Sequence, residues 1–252
     1  MKLKKINEQL QERLVAQGLT EPNEMQFESF SLIKSGADVV IVAGPKTGKT
    51  TTMVINVIQK LGKPFQQSPR ALVITKDKDS VLALEAQFKD LAKYNELRVY
   101  GVHDKSDLDV DKNEISAGID ILIGTTTRLN DMFTTAGFDV NQLKIVALDE
   151  AEELIKGRLE AKMVRLLDSI GKTQYLFFSR NITERLDFLI DRVTIEPTIF
   201  DMEAEDDEED DYFDEEDLLD DELTEDELTE DEIDGEVEEV EEDETEEDEI
   251  SE

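Results

Sequence analysis

The chain of 252 residues contains no cysteine and only one histidine, His103. Without thiols there can be no disulfide framework, no thiolate zinc site and no cysteine nucleophile, and this composition is typical of a reducing compartment. No motif places a serine or a second metal ligand near His103, so we interpret it as a surface residue rather than a catalytic base.

Long apolar runs are also missing. The first residues, MKLKKINEQLQERL, are charged throughout and lack the apolar segment of a signal peptide. No run approaches the roughly 18 apolar residues that a helix needs to cross a bilayer. We therefore expect a soluble, cytoplasmic protein that does not associate with a membrane.

Basic residues are absent from the last fifth of the chain. Between Asp201 and Glu252 lie 35 of the 64 acidic residues and no Lys or Arg, so the formal net charge of −37 mainly describes this segment. Its repeat DELTE-DELTE-DEIDG matches neither the helical nor the strand period, and its apolar content is too low to offset the entropy of folding. We predict one domain over residues 1–200 and a disordered acidic tail over residues 201–252. The tail either binds a basic partner through its spaced Leu and Ile residues or only keeps the protein soluble.

The first 200 residues alternate short apolar runs with helical patterns. The predicted strands are residues 39–43, 71–74, 97–100, 119–123, 144–148 and 175–178. Strands separated by helices are typical of βαβ units, so the sequence predicts an α/β fold with a parallel sheet covered by helices on both faces. In such folds the ligand lies at the carboxyl ends of the strands.

The first predicted strand leads into a glycine-spaced loop. Its residues, Gly44-Pro45-Lys46-Thr47-Gly48-Lys49-Thr50, fit the pattern G-x-x-x-x-G-K-[ST]. The N–H groups of such a loop and the positive end of the next helix bind phosphate oxygens. We expect Lys49 to reach the β- and γ-phosphates, Thr50 to bind Mg²⁺, and Thr51 to belong to the same nucleotide site. The alternative is a glycine-rich turn that binds nothing.

A later apolar strand ends in two acidic residues, Asp149 and Glu150. We expect Asp149 to hold Mg²⁺ together with Thr50, through water, and Glu150 to orient the water that attacks the γ-phosphate. With Lys49, these two acids form the predicted catalytic set. The alternative is a strand that runs into the acidic start of a helix, which the helix dipole favours by itself.

Taken together, these motifs resemble the first RecA-like lobe of DEAD-box RNA helicases over about residues 1–195. The resemblance rests on Gln26, the loop Gly44–Thr50, the run Gly124-Thr125-Thr126-Thr127-Arg128, the motif Asp149-Glu150-Ala151-Glu152, and Ser179. It implies a single RecA-like domain, ATP and Mg²⁺ as cofactors, RNA as a partner, and RNA-dependent ATPase or helicase activity. Gln26 would then hydrogen-bond the adenine edge. A glutamine on a helix surface is the alternative, because the aromatic residue that stacks on adenine in the family has no clear counterpart.

The resemblance also implies which residues would contact RNA. In the family, a Pro-Thr-Arg-Glu-Leu-Ala segment and a Thr-Pro-Gly-Arg segment hold the RNA backbone. At the first position this chain keeps only a basic residue, Lys78. At the second, Thr125, Thr126 and Arg128 supply hydroxyl and guanidinium donors suited to phosphate oxygens. The alternative at the second position is a capped helix without a ligand.

Three departures from the family bear on activity. The acidic motif ends in Glu152 rather than Asp, and the family's Ser-Ala-Thr reads Ser179-Arg180-Asn181. No counterpart of the second lobe, whose arginines close on the γ-phosphate, precedes the acidic segment. Arg180 and Arg185 follow the last predicted strand of the same lobe, and neither is assigned that role from sequence.

Efficient hydrolysis or unwinding is therefore expected to need a second lobe in trans, from a partner protein or another copy of the chain. Two other functions stay open. One is a non-catalytic regulator that keeps nucleotide binding and uses the tail to engage a basic partner. The other is an acidic, chaperone-like protein whose phosphate loop is vestigial.

Overall fold

The computed structural model describes residues 3–156 and 159–202. These residues contain one seven-stranded sheet with the order β3-β4-β2-β5-β6-β1-β7, and every neighbouring pair is parallel. The strands are β1 (Val39–Ala43), β2 (Ala71–Thr75), β3 (Val99–Val102), β4 (Ile121–Thr125), β5 (Ile145–Asp149), β6 (Gln174–Ser179) and β7 (Thr198–Met202). The α/β fold with a parallel sheet between helices, predicted from the alternating pattern, is confirmed.

Helices connect the strands and cover both faces of the sheet. Within the described residues they are α1 (Glu8–Ala16), α2 (Glu24–Ser35), α3 (Lys49–Leu61), α4 (Lys78–Leu91), α5 (Leu108–Ala117), α6 (Thr126–Thr134), α7 (Ala151–Leu154), α8 (Leu159–Asp168) and α9 (Glu184–Val193). None of these helices has the length and apolar character needed to cross a membrane.

Alternate residues of the inner strands enter two hydrophobic cores, one on each face. In β1, Val39 and Ile41 pack in the core that α1 to α4 cover, where Phe30 is fully buried. Val40 enters the opposite core, which α5 to α9 cover and which includes Leu166. Burial of each such side chain contributes about 1.5–3 kcal/mol, so both helical layers are needed to hold the sheet.

The predicted strands do not include β7, and no helix was predicted at α5, α7 or α9. Strand β7 lies at the sheet edge and pairs with β1 from Val39 opposite Thr198 to Ala43 opposite Met202. Two residues assigned above to the tail, Asp201 and Met202, thus belong to the sheet. The domain boundary at residue 200 stays a prediction, and the expected disorder from residue 203 onward lies outside the described residues.

Candidate functional site

Three neighbouring strands end at the edge of the sheet where the predicted site residues lie. β6 lies between β1 and β5, with Ser179 opposite Val42 on one side and Phe178 opposite Asp149 on the other. β1 leads into the phosphate loop, and β5 leads into the acidic pair. The parallel topology therefore brings together motifs that are about a hundred residues apart in the sequence.

The loop between β1 and α3 has the backbone shape of a phosphate cradle. Lys46 and Gly48 have positive φ angles of 61° and 92°, and the Thr47 hydroxyl donates to the Gly44 carbonyl at 2.9 Å. Gly48 has little room for a side chain, since a Cβ there would lie 3.0 Å from Asn23 Nδ2. The loop ends at the N-terminus of the 13-residue helix α3, where unpaired N–H groups favour an anion.

Lys49 points its ammonium group back onto the loop. Its Nζ donates to the carbonyl of Ala43 and, at 2.6 Å, to that of Gly44. Burial lowers the pKa of Lys49, the charge of Arg180 lowers it further, and the charges of Glu152, Asp149 and Glu150 act in the opposite direction. No carboxylate oxygen within 4.0 Å pairs with this ammonium in the described residues, so its charge is available to an anion in the loop.

Gln26 lies against the loop, as its predicted role requires, but it also caps a helix. Its backbone N–H donates to Asn23 Oδ1 at 2.9 Å, and its Oε1 accepts from the Asn23 N–H at 3.1 Å. Asn23 Nδ2 in turn donates to the Thr47 carbonyl at 2.8 Å. The start of α2 is thereby tied to the phosphate loop, and the Nε2 group of Gln26 lies 3.5 Å from the position of a Cβ on Gly48.

The predicted metal ligands meet across the sheet edge. The Thr50 hydroxyl donates to Asp149 Oδ2 at 3.5 Å. Burial raises the pKa of Asp149 to about 6, and the nearby charge of Glu150 adds to this effect. A buried carboxylate beside a hydroxyl supplies the oxygen ligands that Mg²⁺ prefers, and a cation there would offset the cost of burying the charge. The residues present therefore fit a magnesium ion.

Glu150 has a strained backbone and cationic neighbours. Its φ of 50° is unusual for a residue with a side chain. Lys76 Nζ lies 3.0 Å from one carboxylate oxygen, and Arg180 Nη2 lies 3.8 Å from the other. Neither ion pair was predicted from the sequence. Lys76 directly follows β2, which lies beside β5, and this strand order is not explicit in the sequence.

The cleft above these strand ends has a volume of about 450 Å³. Its lining residues include the loop from Pro45 to Thr50 and the acidic pair, and also Thr51, which accepts a hydrogen bond from Gln87 Nε2 at 3.3 Å. A larger concavity of about 600 Å³ lies near Asp38, at the amino ends of the strands. Size alone does not mark the site, so the assignment rests on the phosphate loop and the acids.

Two further residues of the family motifs, Glu152 and Ser179, make only local contacts through their hydrogen bonds. Glu152 is buried, and its Oε1 accepts from the Arg180 N–H at 3.3 Å. The Ser179 hydroxyl donates to the Asn181 carbonyl at 2.7 Å, within its own loop. Neither side chain contacts the phosphate loop through these bonds.

Of the four residues predicted to contact RNA, three are buried. Thr125 and Thr126 are 3% and 2% exposed, and Arg128 is 8% exposed. Thr125 caps α6, accepting from the Arg128 N–H at 3.4 Å, and its hydroxyl donates to Asp104 Oδ1 at 3.2 Å. Lys78, at the start of α4, is partly exposed.

Arg128 is held by a set of acceptors that we call the α5 clamp, formed by His103, Ser106 and Asp111. Its Nε donates to the His103 carbonyl at 3.0 Å and lies 3.2 Å from Asp111 Oδ2. Its Nη2 donates to both oxygens of Ser106. The Asp111 carboxylate is fully buried and also accepts from Tyr100 and Ser106, at 3.1 and 2.6 Å. RNA contact by Arg128 stays a prediction, and it would require Arg128 to exchange these partners for phosphate.

A parallel α/β sheet with a phosphate-binding loop after β1 and paired acids after β5 defines a class of P-loop proteins. Residues 23–187 match the model of the DEAD/DEAH box helicase family. The chain belongs to this family, as its resemblance to DEAD-box helicases predicted.

Individual relatives are distant and longer. The ATP-dependent RNA helicase eIF4A of Eremothecium gossypii is 25% identical over 169 residues, covering 67% of this chain and 42% of the relative. The Probable ATP-dependent RNA helicase YfmL of Bacillus subtilis is 22% identical over 191 residues, covering 75% and 50%. The ATP-dependent RNA helicase DDX50 of Homo sapiens is 28% identical over 155 residues, covering 60% and 21%. The chain thus spans half or less of each of these relatives.

Proposed function

We propose that this helicase domain binds ATP with Mg²⁺ and hydrolyses it slowly. The observation that carries the proposal is the convergence of the phosphate loop, Lys49, the Thr50–Asp149 pair and Glu150 at one sheet edge. Lys49 would balance the β- and γ-phosphates, Thr50 and Asp149 would hold Mg²⁺, and Gln26 would donate to adenine. The metal ion neutralises phosphate charge when it is bound.

In the proposed reaction, a water oxygen forms a bond to the γ-phosphorus. The bond from that phosphorus to the bridging oxygen breaks, and its electron pair leaves with ADP. Glu150 orients the water and accepts its proton, which then passes to solvent. Because Lys76 lies 3.0 Å from Glu150, this ion pair must loosen before the carboxylate can act as a base.

We further propose that RNA is the partner and that unwinding requires a second RecA-like lobe in trans. The support is membership of the family and the names of the relatives, which are RNA helicases of at least twice the length matched here. The residues proposed to contact RNA are Lys78 and, at the start of α6, Thr125, Thr126 and Arg128. The acidic residues 201–252 are proposed to bind a basic partner, on composition alone.

The decisive experiment is ATP binding and turnover by the purified chain, with and without single-stranded RNA. Lys49→Ala should abolish binding, because it removes the charge that faces the phosphates. Lys172→Ala removes an equal charge from an exposed position at the opposite sheet edge and should leave binding unchanged. Equal affinity of the wild type and Lys49→Ala for a fluorescent ATP analogue would refute the phosphate site.

A non-catalytic nucleotide-binding regulator is the second candidate. The observation that favours it is the engagement of Glu150 by Lys76 and Arg180, together with the Ser179 hydroxyl turned onto its own loop. ATP binding without turnover, whether RNA or a second lobe is present or not, would establish this alternative.

A further inference from the structure

Arg180 lies at a special place in the sheet. It directly follows β6, the middle of the three strands that end in the candidate site. β1 and the phosphate loop are on one side, and β5 with Asp149 is on the other. A side chain that begins here stands between the loop and the acids.

The contacts of Arg180 fix its backbone and leave its guanidinium group accessible. The backbone N–H donates to Glu152 Oε1 at 3.3 Å. The guanidinium Nη2 is 3.8 Å from Glu150 Oε1, and the side chain lines the same cleft as Lys49 and Thr50. Its side chain is 59% exposed, so little of it contributes to the hydrophobic core.

Two other arginines of the chain are bound far more closely. Arg70 pairs with a buried carboxylate at 2.7 Å, and Arg192 makes two hydrogen bonds to Asp168, at 2.9 and 2.7 Å. A loose, exposed pair such as Arg180–Glu150 contributes only about 0–1 kcal/mol to stability. Stabilisation of the fold therefore does not explain why position 180 carries a cationic side chain.

We propose that Arg180 is a further catalytic residue, whose guanidinium group donates to the γ-phosphate oxygens as charge develops during hydrolysis. The inference rests on the proposed ATPase function. The planar fork of an arginine matches phosphate oxygens, and preorganised donors at the developing charge lower the barrier. Arg180 keeps its proton and forms no covalent bond during the step described above.

The proposed role of Arg180 bears on how much ATP hydrolysis a single RecA-like lobe can support. Arginines that act on the γ-phosphate are supplied in cis by some phosphoryl-transfer enzymes and in trans by others. Arg180 would act in cis and support the slow turnover of the isolated chain. A second lobe would then add to this activity instead of supplying all of it.

The test compares Arg180→Ala and Arg180→Lys in the full chain with Arg185→Ala as a matched control. Arg185 is 62% exposed and pairs loosely with Glu160 at 3.9 Å, and it does not line the cleft. The measurements are single-turnover hydrolysis and the affinities for Mg·ADP and for Mg·ADP with aluminium fluoride, which mimics the transferring phosphoryl group.

Arginines in this role contribute on the order of 10³–10⁵ in rate, and we expect Arg180→Ala to lose about 10³-fold. Its affinity for the aluminium fluoride complex should fall by a similar factor, while its affinity for ADP should stay within about threefold. Arg180→Lys should recover only part of the loss, because it lacks the fork. Arg185→Ala should match the wild type in all three measurements.

Two results would overturn the inference. One is an equal loss of affinity for both complexes, since this would show a general electrostatic effect. The other is a wild type that binds ATP but neither hydrolyses it nor prefers the aluminium fluoride complex. A wild type that binds ATP no better than Lys49→Ala would instead refute the proposed function and, with it, the role of Arg180.

Discussion

Replacement of Asp111 by Asn should release Arg128 from the α5 clamp and increase RNA affinity. Separating a buried ion pair costs about 3–5 kcal/mol, whereas one charged hydrogen bond to phosphate contributes about 1.5–3 kcal/mol. In the wild type the pair between Asp111 and Arg128, whose side chains are 1% and 9% exposed, should therefore persist in the presence of RNA. A neutral partner holds Arg128 by only about 0.5–1.5 kcal/mol.

From this difference we expect Asp111→Asn to gain about 1–2 kcal/mol of binding free energy, roughly five- to thirtyfold in affinity. Fluorescence anisotropy with single-stranded RNA over a salt series is the assay. One additional phosphate contact should steepen the plot of log K against log salt concentration by about 0.7. Asp109→Asn is the matched control, because it removes the same charge from an exposed position in the first turn of α5.

The double variant Asp111→Asn/Arg128→Ala tests whether Arg128 carries the gain. We expect its RNA affinity to return to the wild-type value. A gain that survives the loss of Arg128, or that Asp109→Asn reproduces, would refute the clamp as the controlling element. An unchanged affinity of Asp111→Asn, in a protein that remains folded by circular dichroism, would remove Arg128 from the proposed RNA surface.

Three further predictions concern catalysis, base recognition and stability. Glu150→Gln should bind ATP normally and lose about 10²–10⁴-fold in turnover, the usual contribution of a general base; equal loss of binding by titration would contradict the division of roles with Asp149. Gln26→Ala should weaken ATP more than GTP in competitive displacement, because the adenine contact is lost for ATP alone, whereas loss of the helix-capping bond to the Asn23 N–H affects both nucleotides alike. Asp120 is fully buried and accepts from Arg70 and Arg98 at 2.7 and 2.8 Å; burial alone would raise its pKa, but the hydrogen bonds from Arg98 and Arg70 outweigh this and lower it. The ionised carboxylate stabilises the fold above its unfolded pKa of about 3.9, and this stabilisation is lost as the pH falls through the folded pKa. Asp120→Asn should therefore lower the free energy of unfolding by about 3–5 kcal/mol near pH 7. The loss should be smaller at pH 3, as measured by urea unfolding.

Local patterns were sufficient to predict the phosphate loop and the acidic pair. The apolar run before Gly44 and the helical pattern after Lys49 fix a strand, a turn and a helix in one continuous segment. Asp149 could be placed near this loop because strands of a parallel sheet share one carboxyl edge. Both inferences need only the chain direction and the class of fold.

Contacts that depend on the order of the strands, or on ion pairs between residues far apart in the sequence, could not be predicted from local patterns. β7 is half-exposed, carries Asp201 next to an acidic segment, and finds its partner β1 about 160 residues earlier in the chain. The clamp around Arg128 depends on Asp111 of α5, a helix that was not predicted from the sequence. The pairing of Lys76 with Glu150 follows from β2 lying beside β5, and the sequence does not contain that order explicitly.

The parallel pairing of β7 with β1 offers a position for a reporter group. Met202 lies opposite Ala43, at the neighbouring-strand spacing of roughly 5 Å, and Ala43 directly precedes the phosphate loop. Because the chain has no cysteine, Met202→Cys would introduce its only thiol. An environment-sensitive dye attached there would lie close to the phosphate loop and would report the proposed nucleotide binding in real time, with no second thiol on the chain to compete for the label.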